Sequence, residues 1–372
     1  MNCLGRSLPF SISSQKRKTN NLLAINLNLR SVLPDMALLS VGAMLFLSCI
    51  SKTVLGADFA LSWPTPNPAF RQGLQIAKFL QKTGPGNPVS SGAYGCVRNN
   101  GYKFHEGLDL FPLKRDARGR ADDIVFAAMD GIVRHASRTS THSSYGKYII
   151  LEHPGVKPAL YSLYAHLAEI DPHIKPGVTV RVASRLGMMG NTSSYKIPLG
   201  RSHLHFEVGL RLSDHFQAWY AKRPFNTPNR HGNFSGFNLV GLDPLSFYES
   251  YKSKSIATPL SFIQALPVVA KVRVRSSGIP DFVKRYPSLS RQLKPGESPK
   301  AWDAYFAAHG FPVRIEPASG EPPKGKSPYR ILSYDEAADS ASRKCRGIII
   351  HNGKQLAPSD QLTSYLELIF NP

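Results

Sequence analysis

The sequence predicts a mainly β protein with a smaller α+β region behind it, and three observations carry that prediction. Short β-like runs broken by glycine turns fill residues 93–208. Helical periodicity is scarce over the same span. Beyond residue 258 the pattern changes to a mixture of strand-like and helix-like segments. The 372-residue chain is long enough for two domains with ordinary cores. Its 42% apolar and 19% charged content excludes an intrinsically disordered chain. The 29 glycines and 29 prolines follow no repeat, which excludes collagen-like and coiled-coil architectures.

Taken in order, residues 1–57 read as a leader. Lys16, Arg17 and Lys18 form a basic run, and Met36, an alternative start, opens a mainly apolar stretch. Its centre, 37–50, is about 14 residues long, shorter than the roughly 20 needed to span a membrane and matched to a signal-peptide core. Leu55-Gly56-Ala57 offers small residues for cleavage before Asp58. A second reading is a retained or lipidated anchor, with lipidation centred on Cys49, although Leu47 sits where a small residue is usual. Both readings predict an exported protein, whether periplasmic, envelope-associated or secreted. A cytoplasmic protein is the third reading, and it leaves the leader unexplained. A mature chain from Asp58 keeps Cys96 and Cys345. They could pair in an oxidising compartment or remain two buried thiols.

Residues 58–92 are rich in Pro, Gly and Ser and read as an arm with one short helix over 70–81. A domain over 93–258 follows. Its predicted strands are 124–128, 131–135, 147–152, 160–167 and 203–208, separated by turns at Asp130-Gly131, Tyr145-Gly146 and Pro176-Gly177 and across 187–190. Residues 209–250 are less regular and read as a surface extension that closes on the domain through Gly241-Leu242-Asp243-Pro244. Residues 259–372 form the small α+β domain, with strands predicted at 266–274 and 347–351 and helices at 299–309 and 359–370.

The chemistry lies in three segments. In a strand, residues two apart share a face. In His105-Glu106-Gly107-Leu108-Asp109 that places His105, Gly107 and Asp109 on one side, with Gly107 leaving room beside a metal. In His203-Leu204-His205-Phe206-Glu207-Val208 it places His203 and His205 together, opposite Leu204, Phe206 and Val208. Two imidazoles and a carboxylate from neighbouring strands make a three-ligand zinc site with an open position, which suits hydrolysis. His166 sits on a third alternating strand, opposite Leu163, Ala165 and Leu167. With three groups on a metal, His166 and one member of the His203/His205 pair remain for acid–base work. No His-Glu-x-x-His helix is present. A lone strand histidine is usually structural; three such segments in order are not easily so. Four further residues have two readings each. Arg98 could meet a substrate carboxylate or simply face solvent. Tyr164 could orient substrate or pack. His153 at a strand end reads as structural. Cys96 as a thiol ligand would close the fourth position and suit a structural site instead.

Together with Val125-Phe126-Ala127-Ala128-Met129-Asp130-Gly131-Ile132-Val133, Tyr164-Ala165-His166-Leu167, Lys175-Pro176-Gly177 and Leu186-Gly187-Met188-Met189-Gly190-Asn191-Thr192, these segments resemble the lysostaphin-type (LytM-like) zinc metallopeptidases. The resemblance spans Cys96 to Val208. It implies an open antiparallel β-sheet of the duplicated hybrid motif type, with the site in a groove across it. It also implies one zinc ion held by His105, Asp109 and His205, with His166 and His203 as catalytic histidines. The implied substrate is a peptide bond in peptidoglycan stem peptides or cross-links. The sequence departs from the family between Asn191 and His203, where 195–202 makes a longer loop that bears on substrate preference. No wall-binding module is recognisable in 259–372. The alternative is a non-catalytic envelope-binding or regulatory protein of the same fold, but such relatives typically lack ligands and here all three are present. The net charge of +21 admits nucleic acid, acidic membranes and wall polymers alike. The basic residues are scattered and no nucleic-acid motif is present, so peptidoglycan and anionic envelope polymers are the expected partners.

Overall fold

A computed structural model describes residues 59–353 and 355–370; the expected leader, with its cleavage and lipidation sites, lies outside them. The predicted β character is borne out, and the pairings among the described strands are antiparallel. β1 (Gly95–Arg98) pairs with β2 (Lys103–His105). Then follow β3 (Leu108–Leu110), β4 (Ile124–Phe126), β5 (Gly131–Ser137), β6 (Tyr148–His153), β7 (Leu160–Ala165), β8 (Glu169–Ile170), β9 (Thr179–Val180), β10 (Arg185–Met188), β11 (Leu204–Arg211) and β12 (Leu239–Leu242). The principal sheet runs β12–β11–β7–β6–β5–β9, with β3 also pairing to β11, and β4–β10–β8 form a smaller sheet. β6 and β7 are covered on both faces. Ile149 and Leu151 enter the main core, while Tyr148 and Ile150 join Tyr161, Leu163 and Ala165 in a second cluster. This double burial is why those strands read as continuous apolar runs.

The helix predicted over 70–81 is reduced to one 3-10 turn, Ile76–Lys78. Aromatic packing sets the arm instead: Trp63 stacks on Phe70 at 4.4 Å and meets Tyr248 edge-on at 5.0 Å. The chain then runs beside β3. The Gln81 N–H donates to the Asp109 carbonyl (2.8 Å), and the Phe111 N–H donates to the Phe79 carbonyl (2.7 Å).

Helices α1 (Phe216–Ala221), α2 (Pro244–Lys252) and α3 (Pro259–Ala265) lead into a four-stranded sheet. Its strands are β13 (Ala270–Arg275), β14 (Ala301–Phe306), β15 (Pro312–Pro317) and β16 (Tyr329–Tyr334), in the order β15–β14–β13–β16. Helix α4 (Asp281–Arg285) lies between β13 and β14; α5 (Ser340–Arg346), the hairpin β17 (Ile349–Asn352) and β18 (Gln355–Pro358), and α6 (Asp360–Phe370) complete the described chain. The helix predicted over 299–309 is mostly the strand β14. Trp302, Ala304 and Phe306 are fully buried there, and Asp303 between them is gripped by Arg273 (2.7 Å) and Lys271 (3.1 Å) from the neighbouring strand. Such a short apolar run is compatible with either element until its partners are known.

The principal sheet and the C-terminal elements share one apolar core, in which Phe247 of α2 meets Phe262 of α3 at 5.2 Å. Cys96 in β1 is disulfide-bonded to Cys345 in α5, with Cα atoms 5.6 Å apart across 249 residues of sequence. The two thiols therefore pair, and Cys96 is not available as a metal ligand. No helix among the described residues is long and apolar enough to cross a membrane. Replacing Cys96 and Cys345 together by serine should lower the unfolding free energy by about 2–4 kcal/mol. Denaturant unfolding checks this, and an unchanged midpoint would show that the cross-link contributes nothing.

Candidate metal centre

β3 and β11 lie side by side with Asp109 opposite His205 and Leu110 opposite Leu204. His105 ends β2, so His105 and Asp109 belong to two strands separated at Glu106-Gly107, not to one continuous strand face. A Cβ added to Gly107 would fall 2.1 Å from the Phe206 carbonyl oxygen. Glycine is therefore required by the close approach of the β11 backbone, not by space for a metal as the sequence pattern suggested.

This register brings three donors together. His105 Nε2 lies 3.0 Å from His205 Nδ1 and 3.1 Å from Asp109 Oδ1, and His205 Nδ1 lies 3.1 Å from the same oxygen. All three residues are buried. Among the described residues no other three His, Cys, Asp or Glu side chains converge in this way. The outward nitrogens are committed elsewhere: His105 Nδ1–H donates to the Ala93 carbonyl (2.7 Å) and His205 Nε2–H donates to Glu207 Oε1 (2.9 Å). The neutral rings therefore turn lone pairs inward. Two lone pairs and a carboxylate oxygen packed together out of water need a cation between them. Without a metal, a proton fills this role. Burial opposes a charged His205, but the hydrogen bonds to Asp109 and Glu207 outweigh it and push the group up to about 9. Donors bound at 2.0–2.2 Å to a tetrahedral ion would lie about 3.4 Å apart, so the triangle fits a zinc-sized cation after a slight widening.

Arg98 pairs with Asp109. Its Nη2 donates to Asp109 Oδ2 at 2.5 Å, which turns Oδ1 toward the triangle. Burial works against the Asp109 carboxylate, yet His105, His203 and Arg98 hold it well below the usual carboxylate range. Burial also lowers His105.

His166 and His203 stand beside the triangle with ring centroids 4.9 Å apart, and His203 Nε2 is 3.4 Å from Asp109 Oδ1. Their outward nitrogens are pinned in the same manner: His166 Nδ1–H donates to the Thr192 carbonyl (2.8 Å) and His203 Nδ1–H donates to the Arg201 carbonyl (2.7 Å). The long loop 195–202 thus ends in the group that orients His203. His166 does not sit on an alternating strand. It follows the end of β7 with φ +61°, in the left-handed region, and its N–H donates to the Tyr145 carbonyl (2.9 Å). That turn sends Leu167 to the main core while Leu163 and Ala165 stay in the second cluster. Burial, reinforced by His203 and His205, drops His166 well below the ordinary imidazole range and keeps it neutral at physiological pH.

Three residues of the site were not singled out from the sequence. Glu207 is buried and accepts from Tyr145 Oη (2.7 Å) and Tyr161 Oη (2.9 Å) as well as from His205. The available signal was its period-two spacing after His203 and His205 on one strand face. Tyr164, in contrast, is a core residue: it is fully buried, its hydroxyl accepts from the Ala128 N–H (2.8 Å), and its ring lies 5.4 Å from Phe206. It does not reach the site. His153 is a structural strut bonded to the Asp130 carbonyl and Ser162 Oγ, both at 2.8 Å.

Residues 103–217 match the model of Peptidase family M23. Parts of the chain are similar to solved structures. The lytM structure from Ruminococcus gnavus shares 20% identity over 41% of this chain and 48% of that chain, with a TM-score of 0.27. A zinc containing peptidase from Vibrio cholerae shares 21% identity over 41% of this chain and 36% of that chain, with a TM-score of 0.24. The catalytic domain of lysostaphin from Staphylococcus simulans shares 23% identity over 47% of this chain and 96% of that chain, with a TM-score of 0.27. The chain thus spans about half of the first of these relatives and about a third of the second. No curated protein matches the chain.

Two outcomes follow for the metal centre. Glu207→Gln should weaken zinc binding about 10- to 100-fold in competition with a chromophoric chelator. Zinc affinity should also rise about tenfold per pH unit until about pH 9, because the ion displaces a proton from His205. A flat profile below that pH would contradict the assignment of His205.

Proposed function

We propose that the chain is an exported zinc endopeptidase that hydrolyses peptide bonds in peptidoglycan, within stem peptides or cross-links. The observation that carries this reading is the donor triangle with a histidine pair beside it, inside the segment that matches Peptidase family M23. His105, Asp109 and His205 would hold the ion. When bound, zinc supplies an activated water and polarises the scissile carbonyl. His166 and His203 handle protons: one inward imidazole nitrogen accepts the proton of the attacking water, and an imidazolium returns it to the leaving amine. Arg98 and Glu207 position the donors. The loop 195–202 borders the histidine pair and shapes which peptide enters.

Two further features support export to a cell envelope. The Cys96–Cys345 disulfide belongs to an oxidising compartment. A chain from Asp58 keeps 40 basic and 24 acidic residues, a net charge of +16, which favours retention on anionic wall polymers, an attraction that salt would screen.

His105→Ala and His205→Ala should each abolish both zinc binding and the clearing of purified walls. His166→Ala and His203→Ala should retain bound zinc yet slow hydrolysis about 100- to 10,000-fold. Mass spectrometry of the released fragments identifies the bond. Full hydrolysis in the presence of a chelator, or by His105→Ala, would contradict the proposal.

A further inference from the structure

A cavity of about 1130 Å³ lies outside the histidine site. It exceeds the roughly 300–1,000 Å³ usual for small-molecule sites. Neither His166 nor His203 lines it, but Glu207 and Tyr145 do, so it abuts the support of the metal centre. Its outer walls come from the irregular extension after β11 and from α6, largely beyond the Peptidase family M23 span.

Two properties of the lining define what it would take. First, it exposes flat aromatic rings. Phe237 is 56% and Phe225 37% exposed, with centroids 5.1 Å apart, and Tyr220 stacks behind Phe225 at 4.4 Å. Rings this exposed beside a cavity mark a contact surface. Second, the lining is balanced in charge although the chain is strongly basic. Glu106, Glu207 and Asp360 stand against Arg223, Arg230 and Arg346. Several of these are also occupied internally: Arg223 pairs with Glu367, Arg346 lies 3.8 Å from Glu106, and Glu207 accepts from two tyrosines. Neutral hydrogen-bonding side chains such as Thr141, Gln361 and Ser364 fill the spaces between. A ligand suited to this lining has an apolar face for the rings, polar edges for the hydroxyls and amides, and no net charge. That describes a pyranose ring with its axial C–H face, not an anion or an apolar chain.

We propose that this cavity binds a neutral amino-sugar unit of the glycan strand, stacked on the Phe225–Phe237 shelf. The sugar would anchor the polymer while its peptide reaches the metal centre, and the C-terminal helix α6 gains a role as one wall of the site. The identity of the polymer rests on the peptidase reading, but sugar binding itself does not.

The test uses the full chain and chitotetraose, a neutral N-acetylglucosamine tetramer. The chain has three tryptophans; Trp63 and Trp302 are buried in the core, so Trp219 in the cavity wall is the reporter. Titration should give a saturable change in tryptophan emission, unaltered by a chelator. Phe237→Ala removes an exposed ring and should weaken binding about tenfold. Calorimetry with Trp219→Phe should retain the binding and lose the optical signal. On soluble glycan-bearing fragments, Phe237→Ala should raise KM about tenfold at unchanged kcat, and it should leave a sugar-free peptide substrate unaffected. Absence of saturable sugar binding, or binding indifferent to Phe237→Ala and Phe225→Ala, would overturn the proposal. Sugar binding without any peptide hydrolysis would uphold the cavity and overturn only the peptidase reading.

Discussion

Three electron-rich atoms converge in a buried triangle with edges of 3.0–3.1 Å, and much of the surrounding architecture holds them there. Such an arrangement is unfavourable without a cation, so it survives only if every donor is fixed from behind. The Ala93 carbonyl fixes His105, Glu207 fixes His205, and Arg98 fixes Asp109. Each support is supported in turn. Glu207 is held by tyrosines from the β5–β6 connection and from β7. Arg98 and Ala93 lie on or next to β1, and the Cys96–Cys345 disulfide ties that strand to α5. The backbone of Asp109 is clamped by the arm at Gln81.

This chain of supports gives the regions outside the Peptidase family M23 span a physical meaning. The arm and the C-terminal elements share one apolar core with the principal sheet, so they cannot move far without disturbing β3. The segment after β11 and helix α6 wall a charge-balanced, aromatic-lined cavity beside Glu207. Under the two proposals, peptide chemistry and polymer anchoring would meet across one buried carboxylate.

Much of the site was legible in the sequence because period-two spacing reports which residues share a face. His105, Asp109, His166, His203 and His205 are all brought together. The manner of their assembly was less legible. His166 turns through a left-handed residue that alternation does not reveal, and Gly107 serves the neighbouring backbone. Partners remote in sequence were invisible: Tyr145 lies 62 residues and Tyr161 46 residues before Glu207, and sheet register alone joins them. The helices expected over 70–81 and 299–309 failed for a related reason. Aromatic stacking fixed the first segment and cross-strand partners fixed the second, and local propensity yields to both.

The most direct measurement is zinc-edge X-ray absorption on the full chain loaded with zinc. The account predicts a shell of nitrogen and oxygen only, at about 2.0–2.1 Å, with outer scattering from two imidazoles and no sulfur. His205→Ala should remove one imidazole from that pattern. A sulfur shell, or an imidazole count unaffected by His205→Ala, would contradict it.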